Sequence, residues 1–242
     1  MTHGMMNAGI LRAPVFTRDA SNTRPRDDEQ EEITGREAGV GWNPEKFARE
    51  QIRGLVRQLF FSDAVRPTRQ VVFSSLEAET DVRTICRRVG ECLAPQITGR
   101  VAVVGAYPRV LQDAEKQSVD ATDEDLSTLG QFATRVHANF WLVPYGTRDS
   151  RSGLSASWNS FLSDVRREFE YSIVQGMVAH SDEAMEVAQA ADGIILVLSA
   201  ERTRRATARR VKEALTAVHA NILGTVLSDR EFPIPEAIYR RL

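Results

Sequence analysis

Between residues 74 and 83 the sequence reads Ser74-Ser75-Leu76-Glu77-Ala78-Glu79-Thr80-Asp81-Val82-Arg83, with Glu77, Glu79 and Asp81 at alternate positions directly after a short apolar run. Carboxylates spaced this closely suit three kinds of chemistry. They can gather a metal ion, but no partner ligands are identifiable in this sequence. They can stand in for a bound anion such as phosphate. Or they can mark the start of a helix, with Thr80 as N-cap and the acids near the positive end of the helix dipole. The remaining candidates for reactive chemistry are sparse. Cys86 and Cys92 fall in one predicted helix, too far along it to bridge, and no CxxC knuckle is present. A reducing cytosol is the natural setting for such cysteines. His3, His137, His180 and His219 are scattered without metal-ligand spacing, so no metal is expected.

These residues need elements to position them. Gln70-Val71-Val72-Phe73-Ser74 reads as a strand, and Val82, Ile85, Val89 and Leu93 carry the period of a helix behind it. Before them, Asn43-Pro44 marks a helix start, and Phe47, Ile52, Leu55, Val56, Leu59 and Phe60 continue with helical spacing. Further strands are expected at 101–104, 140–143, 171–174, 193–198 and 222–227. Helices are expected near 126–136, 155–169, 182–190 and 203–219, with a short one from Pro235. Short apolar runs alternating with amphipathic segments define an α/β protein, a mostly parallel sheet with helices on both faces. Ligands of such sheets bind at the carboxyl ends of the strands, here the loops that start at Ser74, Gly105 and Gln175.

The chain of 242 residues is long enough for one such domain, taken as 43–242, preceded by a tail over 1–42. The tail is polar, and Asp27 to Glu32 is nearly all acidic, so disorder, a linker or a docking arm is expected there. A formal net charge of −2 argues against a wholesale polyanion-binding surface, and no nucleic-acid partner is expected. A local basic stripe remains. Arg202, Arg204, Arg205, Arg209, Arg210 and Lys212 begin the long penultimate helix, as a solvated face or as a surface for anionic lipid or the acidic tail. No stretch approaches the roughly 20 apolar residues of a transmembrane helix, and no signal pattern opens the chain. A cytoplasmic protein is expected, held at a membrane only through a partner.

Four segments resemble the cytoplasmic domain of the bacterial tyrosine kinases of capsule and exopolysaccharide assembly, relatives of the MinD and ParA ATPases. Glu50-Gln51-Ile52-Arg53-Gly54-Leu55 is similar to the family's opening helix, Glu-Ala-Phe-Arg-x-Leu. Phe169 to Val174 is similar to Phe-Asp-Tyr-Val-Ile-Ile. Ala190 to Val197 matches Ala-Asp-Gly-Val-x-Leu-Val, with Thr203-Arg204-Arg205 following. The ending from Ile222 to Leu227, and then from Phe232 to Leu242, resembles chains of this group most specifically. The resemblance spans about residues 45–242 and is poor over about 110–137. It implies a three-layer αβα, P-loop NTPase-like fold.

The resemblance also shows what has changed. A P-loop closes glycine-rich backbone N–H groups around phosphate oxygens, with a lysine on the β/γ charge and a hydroxyl on Mg²⁺. The family reads roughly Thr-Ser-x-x-Pro-Gly-Glu-Gly-Lys-Ser/Thr. In this chain Glu79 and Asp81 replace the glycines, Val82 stands at the lysine position and Arg83 at the hydroxyl position. A like-charge contact near 4 Å costs about 4 kcal/mol at an effective dielectric of 20, so Glu77, Glu79 and Asp81 oppose a triphosphate. The Asp-x-Asp-x-Arg element becomes Gly105-Ala106-Tyr107-Pro108-Arg109, and the Mg²⁺-binding aspartate after the Phe-Asp-Tyr strand becomes Gln175. No ATP or Mg²⁺ cofactor is therefore expected, except under an alternative reading in which Arg83 and Arg109 substitute. The family's tyrosine cluster is reduced to Tyr239, whose setting suggests packing.

The family's Glu-x-x-Arg-x-x-Arg assembly motif is matched by Glu50 and Arg53, but Val56 takes the third position and the arginine falls at Arg57. That shift turns the charge about 100° around a helix. A monomer or dimer is expected rather than a ring; alternatively Glu50 and Arg53 form only a surface i,i+3 pair. The function implied is a non-catalytic binding or scaffold subunit of exopolysaccharide assembly, docking on a membrane chain-length regulator. The alternatives are an atypical active tyrosine kinase and a MinD/ParA-like positioning ATPase.

Overall fold

Strands that bury both faces carry apolar side chains at odd and even positions alike, and most of the strands here do so. The computed structural model describes residues 44–62, 67–105, 129, 133–145 and 158–229. Its elements run α1 (Pro44–Phe60), β1 (Gln70–Ser75), α2 (Val82–Leu93), a 3₁₀ turn (Ala94–Gln96), β2 (Val101–Gly105), β3 (Thr134–His137) and β4 (Phe140–Pro144). They continue with α3 (Trp158–Glu168), β5 (Tyr171–Gln175), α4 (Asp182–Ala190), β6 (Gly193–Ser199), α5 (Arg205–Ala217) and β7 (Ile222–Ser228). The seven strands form one sheet in the order β3-β4-β2-β5-β1-β6-β7. All pairings are parallel except that of β3 with β4.

Alternation along each strand assigns the two cores. Val71 and Phe73 of β1, Val103 of β2, Ile173 of β5 and Ile195 of β6 pack under α1 and α2. Val72, Val104, Val174 and Ile194 pack on the other face, against Phe161 and Val165 of α3, Val187 of α4, and Val211 and Leu215 of α5. This is the sheet, covered on both faces, that the sequence pattern implies. Gly90 lets α2 lie close to the sheet, because a Cβ there would stand 2.6 Å from both Phe140 and Val103 side-chain atoms.

One expectation is overturned. The helix expected near 126–136 conflicts with β3, which pairs Thr134 with Leu142 and Arg135 with Trp141 and turns back into β4 through Ala138 and Asn139. Asn139 explains the turn: its Nδ2 donates to the carbonyls of Ala94, Ile97 and Gly99 at 2.9–3.1 Å, tying the hairpin to the end of α2. Asn43, the tail over residues 1–42, Tyr107, Arg109, Tyr239 and the short helix expected from Pro235 lie outside the described residues.

The amino ends of the central strands are locked by a polar cluster. Asp192 Oδ2 accepts from the backbone N–H groups of Arg69 and Gln70, both at 2.8 Å. Its other oxygen accepts from Arg166 at 3.0 Å, and Arg166 also donates to Gln70 Oε1 at 3.2 Å. Gln70, 1 % exposed, completes its set by donating Nε2 to Leu162 O and Ser172 Oγ. Replacing Asp192 leaves a buried N–H without its acceptor and Arg166 without its carboxylate. Asp192→Ala is expected to lower unfolding free energy by about 2 kcal/mol, read from denaturant midpoints at unchanged slope.

Candidate functional site

The strand order sets β2, β5, β1 and β6 side by side. Gly105, Gln175, Ser74-Ser75 and Ser199 therefore end adjacent strands at one edge of the sheet, where the sequence placed the candidate loops. The loop after β1 continues the ladder for one residue, Leu76 N–H donating to Val197 O at 3.3 Å, and then turns. Its amides bond within the loop: Thr80 N–H to Glu77 O at 3.3 Å and Val82 N–H to Thr80 O at 2.9 Å.

The helix start differs from expectation in one respect. Asp81, not Thr80, is the N-cap of α2: its Oδ1 accepts from Thr84 N–H at 3.0 Å and its Oδ2 from Thr84 Oγ1 at 2.6 Å. Thr80 is 8 % exposed and turns inward instead. Aspartate is at least as good an N-cap as threonine, and its full charge sits at the positive end of the helix, so the carboxylate takes the place. Glu77 Oε2 accepts from Thr203 Oγ1 at 2.7 Å, and the same hydroxyl accepts from Ser199 N–H at 2.9 Å. Glu77 thereby ties the loop after β1 to the turn after β6. Glu79 is exposed. Val82 is 4 % exposed and packs with Ile85, Cys86 and Val89 in the core beneath α1. Arg83 lies partly buried in the first turn of α2.

The loop after β5 folds over the end of β1. Gly176 N–H donates to Phe73 O and Ala179 N–H to Ser75 O, both at 2.8 Å. A Cβ on Gly176 would lie 2.1 Å from Ser74 Oγ and 2.8 Å from Val72 Cγ1, so the closeness of these strands' ends requires glycine. Ser74 Oγ, Ser199 Oγ and Gln175 Oε1 are buried and have no hydrogen-bond partner among the described residues. Gly105 O accepts from Tyr145 N–H at 2.8 Å, closing the end of β2 against β4. Among the described residues no three His, Cys, Asp or Glu side chains gather closely enough to hold a metal ion.

The second candidate surface lies on α1. Glu50, Arg53 and Arg57 are exposed, and no Glu50–Arg53 ion pair forms among the described residues. Arg53 and Arg57, one turn apart, both line a groove of about 530 Å³ between α1 and α2, so the shifted arginine rejoins the same surface. The basic residues from Arg202 to Lys212, in the turn before α5 and along its first half, are exposed, with Arg209 and Glu213 at 3.9 Å.

Sequence reasoning missed Thr203 as the partner of Glu77, since 126 residues separate them and no spacing signals the bond. It also missed Gly176 as a packing requirement.

No protein-family model matches the sequence, and no curated protein matches it. Solved structures do match the fold. The kinase domain of the Escherichia coli tyrosine kinase ETK superposes with a TM-score of 0.60 at 14 % identity, over 77 % of this chain and 78 % of that one. The chimerical protein CapA2B2 gives 0.58 at 15 % identity, covering 76 % of this chain and 85 % of the other. The VpsO kinase domain gives 0.57 at 15 % identity, over 77 % and 98 %. The chain thus has the three-layer α/β fold of these structures.

Asp81 provides a direct check on the loop. Asp81→Ala is expected to cost about 1 kcal/mol, the usual worth of an N-cap, whereas Glu79→Gln is expected to change stability by less than about 0.5 kcal/mol. Paired thermal melts of the two variants against the parent measure the difference.

Proposed function

We propose that this chain is a non-catalytic relative of the capsular-exopolysaccharide tyrosine kinases, a binding or scaffold subunit of polysaccharide assembly. The observation that carries the reading is the loop after β1. The N–H groups of Thr80, Val82 and Thr84, which a phosphate would need, are already taken by Glu77 O, Thr80 O and Asp81 Oδ1. A phosphate approaching this helix start meets the Asp81 carboxylate, a like charge that already accepts from the Thr84 N–H and hydroxyl. Val82, packed in the core, offers no ammonium. Gln175 and Gly105 offer no carboxylate for Mg²⁺. ATP and its metal do not fit these residues, and no phosphoryl transfer is derived from them.

The fold supports the rest of the reading. It is shared with the kinase domains of the tyrosine kinase ETK and of VpsO, and with the chimerical protein CapA2B2. A protein that keeps this scaffold without its chemistry can still present the helical surfaces through which such domains meet partners. The partner proposed is the membrane chain-length regulator of the same pathway or a second copy of the chain, and the protein would act in the cytoplasm. No helix among the described residues is long and apolar enough to cross a membrane, which suits attachment through a partner.

Calorimetric titration with Mg-ATP and Mg-ADP tests the reading: no binding is expected at millimolar nucleotide, and a micromolar dissociation constant overturns it. A second experiment separates the loop from the metal positions. The triple variant Glu79→Gly, Asp81→Gly, Val82→Lys is expected to release no phosphate from ATP, because Gly105 and Gln175 still supply no carboxylate. Hydrolysis by that variant would mean that the β2 and β5 ends retain a working metal site.

A further inference from the structure

The groove between α1 and α2 is strongly basic. Arg49, Arg53, Arg57 and Arg88 line it against two carboxylates, Glu45 and Glu91. Both acids already have partners: Glu45 lies 3.6 Å from Arg49, and Glu91 accepts from Arg87 at 2.8 Å. Arg53 and Arg57 are exposed and have no ion pair among the described residues. Arg49, Arg53 and Arg57 also follow one another at i,i+4 spacing, where like charges repel. Three arginines stacked along one helix edge beside a concavity gain most from an acidic occupant.

The sequence supplies one. Eleven residues separate Asp27-Asp28-Glu29-Gln30-Glu31-Glu32 from α1, a stretch that spans up to about 40 Å. The whole of α1, 17 residues, is about 25 Å long. Glu45, the second residue of α1, is already at the groove's rim, so the acidic run is tethered within reach of every arginine in it. The other basic surface, on α5, belongs to the opposite face of the sheet, where Val211 and Leu215 pack. A segment leaving Pro44 would have to round the sheet to meet it.

We propose that the acidic segment Asp27–Glu32 docks intramolecularly into the arginine groove between α1 and α2, covering Arg53 and Arg57. The inference does not depend on whether the loop after β1 binds nucleotide.

Cys92 makes the test direct. It lines the groove and is partly exposed, whereas Cys86 is fully buried. In the full chain the alkylation rate of Cys92, located by peptide mass, therefore reports whether the groove is covered. At about 0.01 M salt, Cys92 of the wild type should react about fivefold more slowly than in a variant with Asp27→Asn, Asp28→Asn, Glu29→Gln, Glu31→Gln and Glu32→Gln. At about 1 M salt the two rates should converge, because the Debye length falls to about 3 Å. Arg57→Glu, which leaves in place the Arg53 charge that favours the Cys92 thiolate, should release the segment and give the fast rate. Equal rates for wild type and the neutralised segment at low salt would overturn the proposal. So would protection that rises with protein concentration, which would place a second copy in the groove.

Discussion

A parallel strand paired along both edges and apolar on both faces has no face to give to water, and everything else in this molecule follows from that constraint. β5, β1 and β6 each bury both faces, so helices must cover both, and the chain must cross over after nearly every strand. The same crossovers gather the carboxyl ends of β2, β5, β1 and β6 at one edge. Any ligand chemistry the fold hosts is confined there by topology, before particular residues are considered. At the opposite edge the crossings leave amino-terminal N–H groups exposed to the interior. Asp192 answers that need, joining the start of β1 to the helix α3 through Arg166.

At the carboxyl edge the chain satisfies itself. A helix N-terminus always presents donors that something must accept, and in nucleotide-binding relatives of this fold a phosphate is the natural acceptor. Here a covalently attached carboxylate takes the role permanently. Glu77 goes further and links the loop to Thr203, so that the first and last parts of the site hold each other. The result is a loop whose order does not wait on a visitor.

Much of this was legible in the sequence because the signals were local. Apolar runs four to six residues long between amphipathic stretches gave the strands, and the acids at 77, 79 and 81 announced an altered loop. Two of the failures were also local in cause. Thr134 to His137 is too short to show a period, and its apolar neighbours lie close enough to imitate a helix; only the pairing with β4 decides it. Thr80 and Asp81 are adjacent and both competent caps, and backbone geometry chose between them. Thr203 could not be read at all, since a bond between residues 126 apart leaves no trace in spacing.

Gly176 carries an implication for how the loop after β5 can vary. Ser74 can rotate its hydroxyl aside, but Val72, β-branched and fully buried, has nowhere to send the methyl that would face a new Cβ. Residue 176 can therefore carry a side chain only if the interior of β1 is remodelled. The composition of that loop is decided by the packing of a neighbouring strand and not by the loop's own contacts.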